Sequence, residues 1–278
     1  MSREPAGRDG PGPPPAAISA RGLTRRFGAL LAVDRLDLEV PRGAIFGLLG
    51  ANGAGKSTVI KMLTTLLPPS GGEATVAGFD VRHQSREVRR RVGYVPQLVS
   101  ADSALTGREN LILSARLYGI GRAAGAVRVA EALRFMSLLD VADVLVRKYS
   151  GGMIRRLEIA QALLHGPEVV FLDEPTVGLD PLAREAVWER LLDMRARGST
   201  TVLLSTHDME EARELCETVA LLHRGRLAVQ GAPAELVAGI GPEATLADVF
   251  VKYTGGAVEQ GGGYREVART RRTAHRLG

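Results

Sequence analysis

Between Gly50 and Ser57 the chain reads GANGAGKS, which matches the pattern G-x-x-x-x-G-K-[ST] at every fixed position. The short apolar run before it, Ala44–Leu49, predicts a buried strand, and the apolar spacing over Lys56–Leu67 predicts a helix packed on one side. Glycines let the loop between them curl tightly, so that successive backbone N–H groups point at phosphate oxygens. The helix N-terminus adds its own donors and the positive end of its dipole. The stretch therefore predicts a nucleotide phosphate loop in an α/β fold.

The side chains of this loop have separate expected roles. Lys56 can reach the β- and γ-phosphates of ATP, and the Ser57 hydroxyl can ligate Mg²⁺. The positions expected to line the bound nucleotide are Gly50, Asn52, Gly53, Ala54, Gly55, Lys56, Ser57 and Thr58. A glycine-rich turn with an incidental lysine is the alternative, and the flanking strand and helix disfavour it.

A second apolar run, VVFLDE at Val169–Glu174, ends in two carboxylates. Such a run is typical of a central parallel strand that is covered on both faces. The carboxyl end of such a strand is where α/β folds bind ligands. Asp173 suits the Mg²⁺ shell, and Glu174 suits polarising the attacking water. An acidic strand-to-loop junction without chemistry is the alternative, and the phosphate loop upstream disfavours it.

Two more motifs give the sequence a family resemblance. YSGGM at Tyr149–Met153 resembles the L-S-G-G-Q signature of the ATP-binding cassette (ABC) transporters, and Ser150 is a good N-cap for the helix that follows. STHD at Ser205–Asp208 resembles the switch segment of the same family. The resemblance implies an α/β P-loop NTPase fold, an ABC ATPase core with an antiparallel β subdomain and a helical subdomain. An ordinary Ser-Gly-Gly helix start is the alternative for the signature.

The resemblance also implies where the remaining site residues act. In the family, ATP lies between the phosphate loop of one subunit and the signature of the other, so Ser150, Gly151 and Gly152 would face the γ-phosphate of a partner's ATP. Asp180, in GLD, resembles the aspartate that crosses the dimer interface. Phe27 fits the aromatic residue that stacks on adenine, although one aromatic residue after a strand is often a core residue.

Two polar residues complete the implied catalytic set. Gln97, after GYVP, resembles the glutamine that contacts Mg²⁺ and the water and couples the site to the membrane subunit. His207 resembles the switch histidine that contacts the γ-phosphate and Glu174. The expected catalytic residues are Lys56, Gln97, Glu174 and His207, and the expected Mg²⁺ ligands are Ser57, Gln97 and Asp173.

The signature departs from the family pattern at Tyr149 and Met153, but it keeps the serine and both glycines. YSGGM followed by RRL at 155–157 resembles a narrower branch of exporter ATPases of the daunorubicin-resistance type. The resemblance therefore implies the ATP-hydrolysing subunit of an exporter for a drug-like hydrophobic molecule. Export of a lipo-oligosaccharide or polysaccharide, which relatives in the same branch perform, is the alternative.

Composition bounds the partners. The 278 residues contain one copy of each motif, which predicts one cassette and the need for a second ATPase subunit. A homodimer is expected, and a dimer with a close homologue is the alternative. No apolar run reaches the roughly 18 residues of a membrane span, so this sequence is not expected to cross a membrane. The family resemblance implies a separate integral membrane permease that holds the chain peripherally at the cytoplasmic face of the membrane. The large excess of arginine over lysine indicates a GC-rich bacterial genome. Cys216, the single cysteine, is expected to be a core residue.

Two other classes of protein remain as alternatives. Soluble cassette ATPases that act on DNA or ribosomes usually carry two cassettes, a coiled-coil insertion or cysteine-rich zinc elements, and this sequence shows none of them. No nucleic-acid partner is expected, because no aromatic interleaving or recognition motif accompanies the basic charge. A degraded cassette would bind ATP without turnover, and the intact Lys56, Asp173, Glu174 and His207 argue against it.

The motifs divide the chain into segments. Residues 1–17 are rich in proline and glycine and are expected to form a disordered lead. Residues 18–230 are expected to form the ABC ATPase domain, with residues 98–164 as its helical subdomain. Residues 231–278 are expected to be a C-terminal accessory segment that ends in a basic tail.

Local signals predict several helix boundaries. Thr106 and Glu109 have the spacing of a capping box, and Pro181 suits the first turn of a helix. Residues 121–125 are predicted to be a loop, and Ala244–Phe250 to be helical.

The net charge of +5 is concentrated at the C-terminus, where the last fourteen residues hold five arginines and one glutamate. The residues are Arg265, Arg269, Arg271, Arg272 and Arg276, against Glu266. Such a tail could contact anionic lipid headgroups or an acidic patch on a partner. A solvated disordered tail is the alternative.

Overall fold

The computed structural model describes residues 16–198 and 200–255. Over these ranges the strands are β1 (Ile18–Phe27), β2 (Leu30–Val40), β3 (Ile45–Leu49), β4 (Gly71–Val76), β5 (Phe79–Asp80), β6 (Val92–Val95), β7 (Val169–Asp173), β8 (Thr201–Thr206), β9 (Thr218–His223) and β10 (Arg226–Gly231). The helices are α1 (Lys56–Leu63), α2 (Ser85–Arg91), α3 (Gly107–Leu117), α4 (Arg122–Phe135), α5 (Gly151–Leu163), α6 (Pro181–Ala196), α7 (Met209–Leu215), α8 (Pro233–Ala238) and α9 (Leu246–Thr254), with short 3₁₀ turns at Leu139–Val141 and Val146–Lys148.

A six-stranded sheet with the order β10-β9-β3-β8-β7-β6 forms the core. Its strands are parallel except for β10, which pairs with β9 in the antiparallel sense. Every residue of β3, β7 and β8 is buried, as the apolar runs predict for central parallel strands. Since these three strands are neighbours, the loops that follow them meet at one edge of the sheet.

A second, antiparallel sheet with the order β2-β1-β4-β5 forms the β subdomain. Helix α1 packs between the two sheets, where Val59, Ile60 and Met62 join a core that also contains Phe46 and Phe171. The helix is shorter than the Lys56–Leu67 segment that the apolar spacing predicts. It ends at Leu63, and Thr65 takes a left-handed conformation (φ 63°) ahead of the two prolines at 68 and 69.

Helices α3 and α4 pack on one another and on α5, and their buried Leu111, Val129 and Leu133 belong to the same core as Leu172 of β7. The predicted capping box of Thr106 and Glu109 is confirmed at the start of α3. The predicted loop at residues 121–125 is wrong, because Gly121 is the N-cap of α4 and Gly125 lies inside the helix. Gly125 is buried against Ala115 of α3, and this packing outweighs the low helix propensity of glycine.

The last described helices close the fold. Helix α9 includes most of the segment predicted as helical, and its Leu246, Val249 and Phe250 are buried in the main core. At the other end, Ala17 is buried and its N–H donates to the Val40 carbonyl, so this residue packs with the β subdomain although the predicted boundary is at residue 18. Residues 1–15 and the basic tail lie outside the described residues. Within the described part, no helix is both long and apolar enough to span a bilayer.

Candidate active site

The phosphate loop follows β3 and leads into α1, as predicted. Gly55 has a φ of 107°, and a Cβ there would lie 2.7 Å from the Ala32 carbonyl oxygen. A Cβ at Gly50 would lie 2.6 Å from the Leu222 carbonyl oxygen. The path of the loop between the β subdomain and the β9–β10 hairpin therefore requires glycine at both positions.

Lys56 is buried at the first position of α1 and has three oxygen partners. Its Nζ donates to the carbonyls of Gly50 at 2.7 Å and Ala51 at 3.3 Å. It also pairs with Glu174 Oε1 at 3.1 Å, and only 5% and 6% of the two side chains are exposed. The ammonium group is thus folded back over its own loop and lies beside the carboxylate of Glu174, the residue that follows β7.

Asp173 and Ser57 form the polar group beside this pair. The hydroxyls of Ser57 and Ser205 both donate to Asp173 Oδ1, at 2.9 and 2.6 Å. Within the described ranges, no cluster of three or more histidine, cysteine, aspartate or glutamate side chains could enclose a metal ion. A single carboxylate with a hydroxyl suits Mg²⁺, which takes oxygen ligands and is commonly completed by substrate phosphates and water.

Glu174 is held in an uncommon backbone conformation, with φ at 53°. Its N–H donates to both the carbonyl and the hydroxyl of Ser205, at 3.1 Å each. Its Oε2 lies 2.6 Å from His207 Nδ1, and since a carboxylate only accepts, Nδ1 carries the shared proton. The carboxylate therefore lies between the ammonium of Lys56 and the imidazole of His207, and three of the four predicted catalytic residues are in contact.

A cavity of about 680 Å³ opens between the phosphate loop and the β subdomain. It is lined by Phe27, Leu30, Leu31, Ala32, Asn52, Gly53, Ala54, Gly55, Lys56, Ser57, Thr58, Gln97, Glu174 and Arg224. Phe27 is 45% exposed, and the guanidinium of Arg25 lies 4.5 Å from the centre of its ring. The fold thus brings the predicted adenine-stacking residue, the phosphate loop, Gln97 and Glu174 to one cavity.

Arg224 is the charged residue of this cavity lining that the motifs do not identify, beside the equally unpredicted apolar residues Leu30, Leu31 and Ala32. It occupies the turn between β9 and β10 in a left-handed conformation, with φ at 48°. The pairing of β9 with β3 brings this turn against the phosphate loop, where the Gly225 N–H donates to the Ala54 carbonyl. The only local sequence signal is the Arg-Gly pair of a hairpin turn, which carries no information about ligands.

The signature residues lie on a different surface. Ser150 caps α5 by accepting from the Met153 N–H at 3.3 Å, as predicted. A Cβ at Gly152 would lie 2.7 Å from the Ala183 Cβ, so the start of α5 packs closely on α6. Asp180 caps α6 through the Ala183 N–H at 3.0 Å, and Pro181 occupies the first turn. Ser150, Gly151 and Asp180 are therefore exposed on a surface outside the nucleotide cavity, whereas Gly152 is buried against α6.

Glu211 is a buried acid that connects the segment after Glu174 with the helix after His207. Its Oε1 accepts from the Thr176 hydroxyl at 2.6 Å and from the indole N–H of Trp188 at 3.1 Å. Burial raises the pKa of Glu211, and the hydrogen bond from Thr176 offsets part of this rise. Cys216 is buried in the main core, as predicted, and this burial raises the pKa of its free thiol.

Glu211→Gln should make the protein more resistant to heat at alkaline pH. Because the pKa of Glu211 is raised in the folded state, its favourable contribution is complete below the ordinary value of 4.5 and is lost as the pH rises through the folded pKa. Glutamine cannot ionise, and it can still accept from Thr176 and Trp188. The midpoint temperatures of unfolding should be equal for the parent and the variant in acid. As the pH rises, the midpoint of the variant should become the higher of the two. Glu210→Gln, at the exposed neighbour, is the control, and a variant that is less stable at every pH would contradict this explanation.

Comparisons with known proteins agree with this geometry. The family described as ABC transporter matches residues 33–177. The chain is 45% identical over 228 residues to the daunorubicin/doxorubicin resistance ATP-binding protein DrrA of Streptomyces peucetius, which covers 82% of this chain and 69% of the relative. It is 43% identical over 254 residues to the Nod factor export ATP-binding protein I of Burkholderia lata, covering 87% and 83% of the two chains.

A solved ATP-binding subunit of an ABC transporter superposes with a TM-score of 0.75 at 31% identity, over 85% of this chain and 99% of that one. Subunit cbiO1 of Clostridium perfringens, part of the ABC transporter complex cbiONQ, gives the same score at 26% identity, over 81% and 92%. The predicted fold class, a P-loop ABC ATPase, is confirmed by these neighbours. The chain therefore belongs to the ABC transporter family, as a subunit that binds and hydrolyses ATP.

Proposed function

We propose that this chain powers a bacterial exporter that expels a drug-like hydrophobic molecule through a separate membrane permease. ATP hydrolysis as the driving reaction is supported by the position of Glu174, which lies between Lys56 and His207 and beside Asp173 and the phosphate loop. The similarity to the daunorubicin/doxorubicin resistance protein supports a drug as the cargo.

The residues of the cavity have distinct proposed roles. Phe27 stacks on the adenine, and the N–H groups of the phosphate loop hold the phosphates. Ser57, Asp173 and Gln97 would hold Mg²⁺, whose oxygen-ligand preference they match. When bound, this ion neutralises charge that develops on the transferred phosphoryl group.

Lys56 and Glu174 are proposed to exchange partners when ATP enters. In the structure each neutralises the other at 3.1 Å. The phosphate oxygens of ATP would draw the Lys56 ammonium away from Glu174, because the contact between ammonium and phosphate is a close hydrogen bond between two charged groups. The Glu174 carboxylate would then be free to accept a proton from the attacking water, with His207 holding its other oxygen.

A second copy of the chain is proposed to complete each site. Ser150, Gly151 and Gly152 lie outside the nucleotide cavity of their own subunit; Ser150 and Gly151 are exposed, like Asp180, and Gly152 is buried where α5 packs on α6. Two copies facing one another would place each signature over the partner's γ-phosphate. A homodimer would then contain two equivalent sites.

The permease is proposed to bind near Gln97. The next two residues, Leu98 and Val99, are apolar and are 82% and 63% exposed. On α3, Leu113 and Leu117 lie four residues apart and are also exposed, so they share one face of that helix. Contact with an integral membrane partner would cover such side chains and place the chain at the cytoplasmic face of the membrane.

A transport assay tests the cargo. Inside-out vesicles that contain the native complex should accumulate daunorubicin when MgATP is added, and vesicles with Glu174→Gln should not. A lipo-oligosaccharide or polysaccharide is the second candidate, and the relative named for Nod factor export favours it. Uptake of a labelled lipo-oligosaccharide in place of daunorubicin would replace the first cargo with the second. ATP turnover without uptake of either would contradict the exporter function.

A further inference from the structure

Two charged side chains are buried in α5 just after the signature. Arg155 and Glu158 are 6% and 2% exposed, and Arg155 Nη1 lies 3.0 Å from Glu158 Oε2. Burying two charges is costly unless each is paired and fully hydrogen-bonded. An aliphatic pair would fill the same space without this cost. The contacts that Arg155 and Glu158 make with other residues therefore indicate what the two charges do.

Both side chains hold the loop that carries Gln97. Arg155 Nη1 donates to the Pro96 carbonyl at 2.8 Å, and its Nη2 donates to the Gln97 carbonyl at 3.1 Å. Glu158 Oε1 accepts from the backbone N–H of Ser100 and, at 2.9 Å, from its hydroxyl. The loop is therefore fixed to α5 on both sides of Leu98 and Val99, while Gln97 lines the nucleotide cavity.

The arginine is chemically specific for this contact. A planar guanidinium can donate to two carbonyls and a carboxylate at once, in fixed directions. Lysine keeps the charge but is a single point donor on a flexible stem, so it cannot hold the same three oxygens in one plane. Replacing arginine with lysine therefore tests the geometry of the contact without removing its charge.

We propose that Arg155 and Glu158 are positioning residues that fix the Gln97 loop to the signature helix. A displacement of the start of α5, where Ser150 meets the partner subunit, would be transmitted to Gln97 in the nucleotide cavity and to the exposed Leu98 and Val99. The inference rests on the proposed function, which gives Gln97 its role in the site. It adds the side chains that set the position of Gln97.

A double-mutant cycle tests whether Arg155 acts through Gln97. Arg155→Lys should lower kcat by about 10- to 100-fold, because a displacement near 1 Å in a catalytic site costs this much. The KM for ATP should change little, because the phosphate loop is untouched. In a Gln97→Ala background the same substitution should have almost no further effect, since the residue that it positions is gone. An equal fall in both backgrounds would overturn the proposal.

Arg190→Lys is the matched control. Arg190 pairs with Asp193 on α6 at the same three-residue spacing, at 2.9 Å, and within the described ranges its guanidinium bonds to Asp193 and Glu189 and not to the Gln97 loop. Its replacement should leave kcat unchanged in both backgrounds. A fall in kcat as large as that of Arg155→Lys would show that any arginine-to-lysine change on these helices lowers activity, which would also overturn the proposal.

A distance measurement separates this inference from the proposed function. Spin labels at Leu98→Cys and Val127→Cys, both exposed, report the loop relative to α4, and the buried Cys216 is shielded from the label. The distance distribution should be narrow in the parent and in Arg190→Lys, and broad or shifted in Arg155→Lys. An unchanged distribution in Arg155→Lys would refute the positioning role. If Gln97→Ala alone left kcat unchanged, the proposed role of Gln97 would fail, and this distance would still decide whether the pair fixes the loop.

Discussion

Replacing Glu174 with glutamine should reduce ATP turnover by about 10²- to 10⁴-fold, the usual contribution of a general base. Glutamine has the same shape and can still accept from His207, but it cannot take a proton from water. The phosphate loop and Lys56 are unchanged, so ATP should still bind. ATP should bind to Glu174→Gln more tightly than to the parent, because the neutral amide no longer competes with phosphate for the Lys56 ammonium.

Phosphate release and nucleotide binding, measured on the same preparations, check this expectation. Glu210→Gln is the control, because Glu210 is a partly exposed acid on α7 that pairs with Arg184 outside the cavity. The control should retain normal turnover. Undiminished turnover in Glu174→Gln would exclude Glu174 as the general base. A loss of ATP binding in the same variant would show that the charge of Glu174 is needed to shape the phosphate loop.

Replacing Lys56 with methionine should abolish turnover and weaken ATP binding by about 10- to 100-fold. Hydrogen bonds to charged groups contribute about 1.5–3 kcal/mol each, which corresponds to this range of affinity. Methionine keeps most of the buried stem of Lys56 and removes only the ammonium group. Lys61→Met is the matched control, because Lys61 is exposed on the same helix, and it should bind and hydrolyse ATP normally.

The same substitution should also destabilise the nucleotide-free protein. Removal of the ammonium leaves the buried Glu174 carboxylate with His207 as its remaining side-chain partner. Breaking one side of a buried ion pair typically costs about 3–5 kcal/mol, and His207 should reduce this cost. Denaturant titration should show the loss in Lys56→Met and its recovery in the double variant with Glu174→Gln. Equal stability of Lys56→Met and the parent would show that the contact does not contribute in solution.

Features set by short windows of sequence could be predicted. The strand–loop–helix around Gly50–Ser57 and the buried strand that ends at Asp173 each depend on residues within about ten positions of one another. The N-caps at Ser150 and Thr106 are equally local, because the capping side chain and its donor are three residues apart. The parallel strand pattern then places the ends of β3, β7 and β8 at one edge of the sheet, which is why the candidate site residues meet.

Features set by distant packing could not be predicted. Gly121 and Gly125 indicated a loop, yet contact with Ala115 of α3 stabilises a helix there. Arg224 reaches the cavity only because β9 pairs with β3, and its own neighbours carry no motif. Arg155 contacts Pro96 and Gln97 across nearly sixty positions, and neither its place in a helix nor the RRL segment indicates this contact.

Recovery of the membrane partner is the most direct test of whether this ATPase drives an exporter. Tagged Glu174→Gln protein would be isolated with ATP from gently solubilised native membranes, and the bound proteins identified by mass spectrometry, with Lys56→Met as the control that should not form the ATP-closed dimer. We expect an integral membrane protein with several spans in amounts comparable to the bait, together with untagged copies of this chain. Recovery of ribosomal or DNA-repair proteins without any membrane protein would contradict the claim that this ATPase drives an exporter.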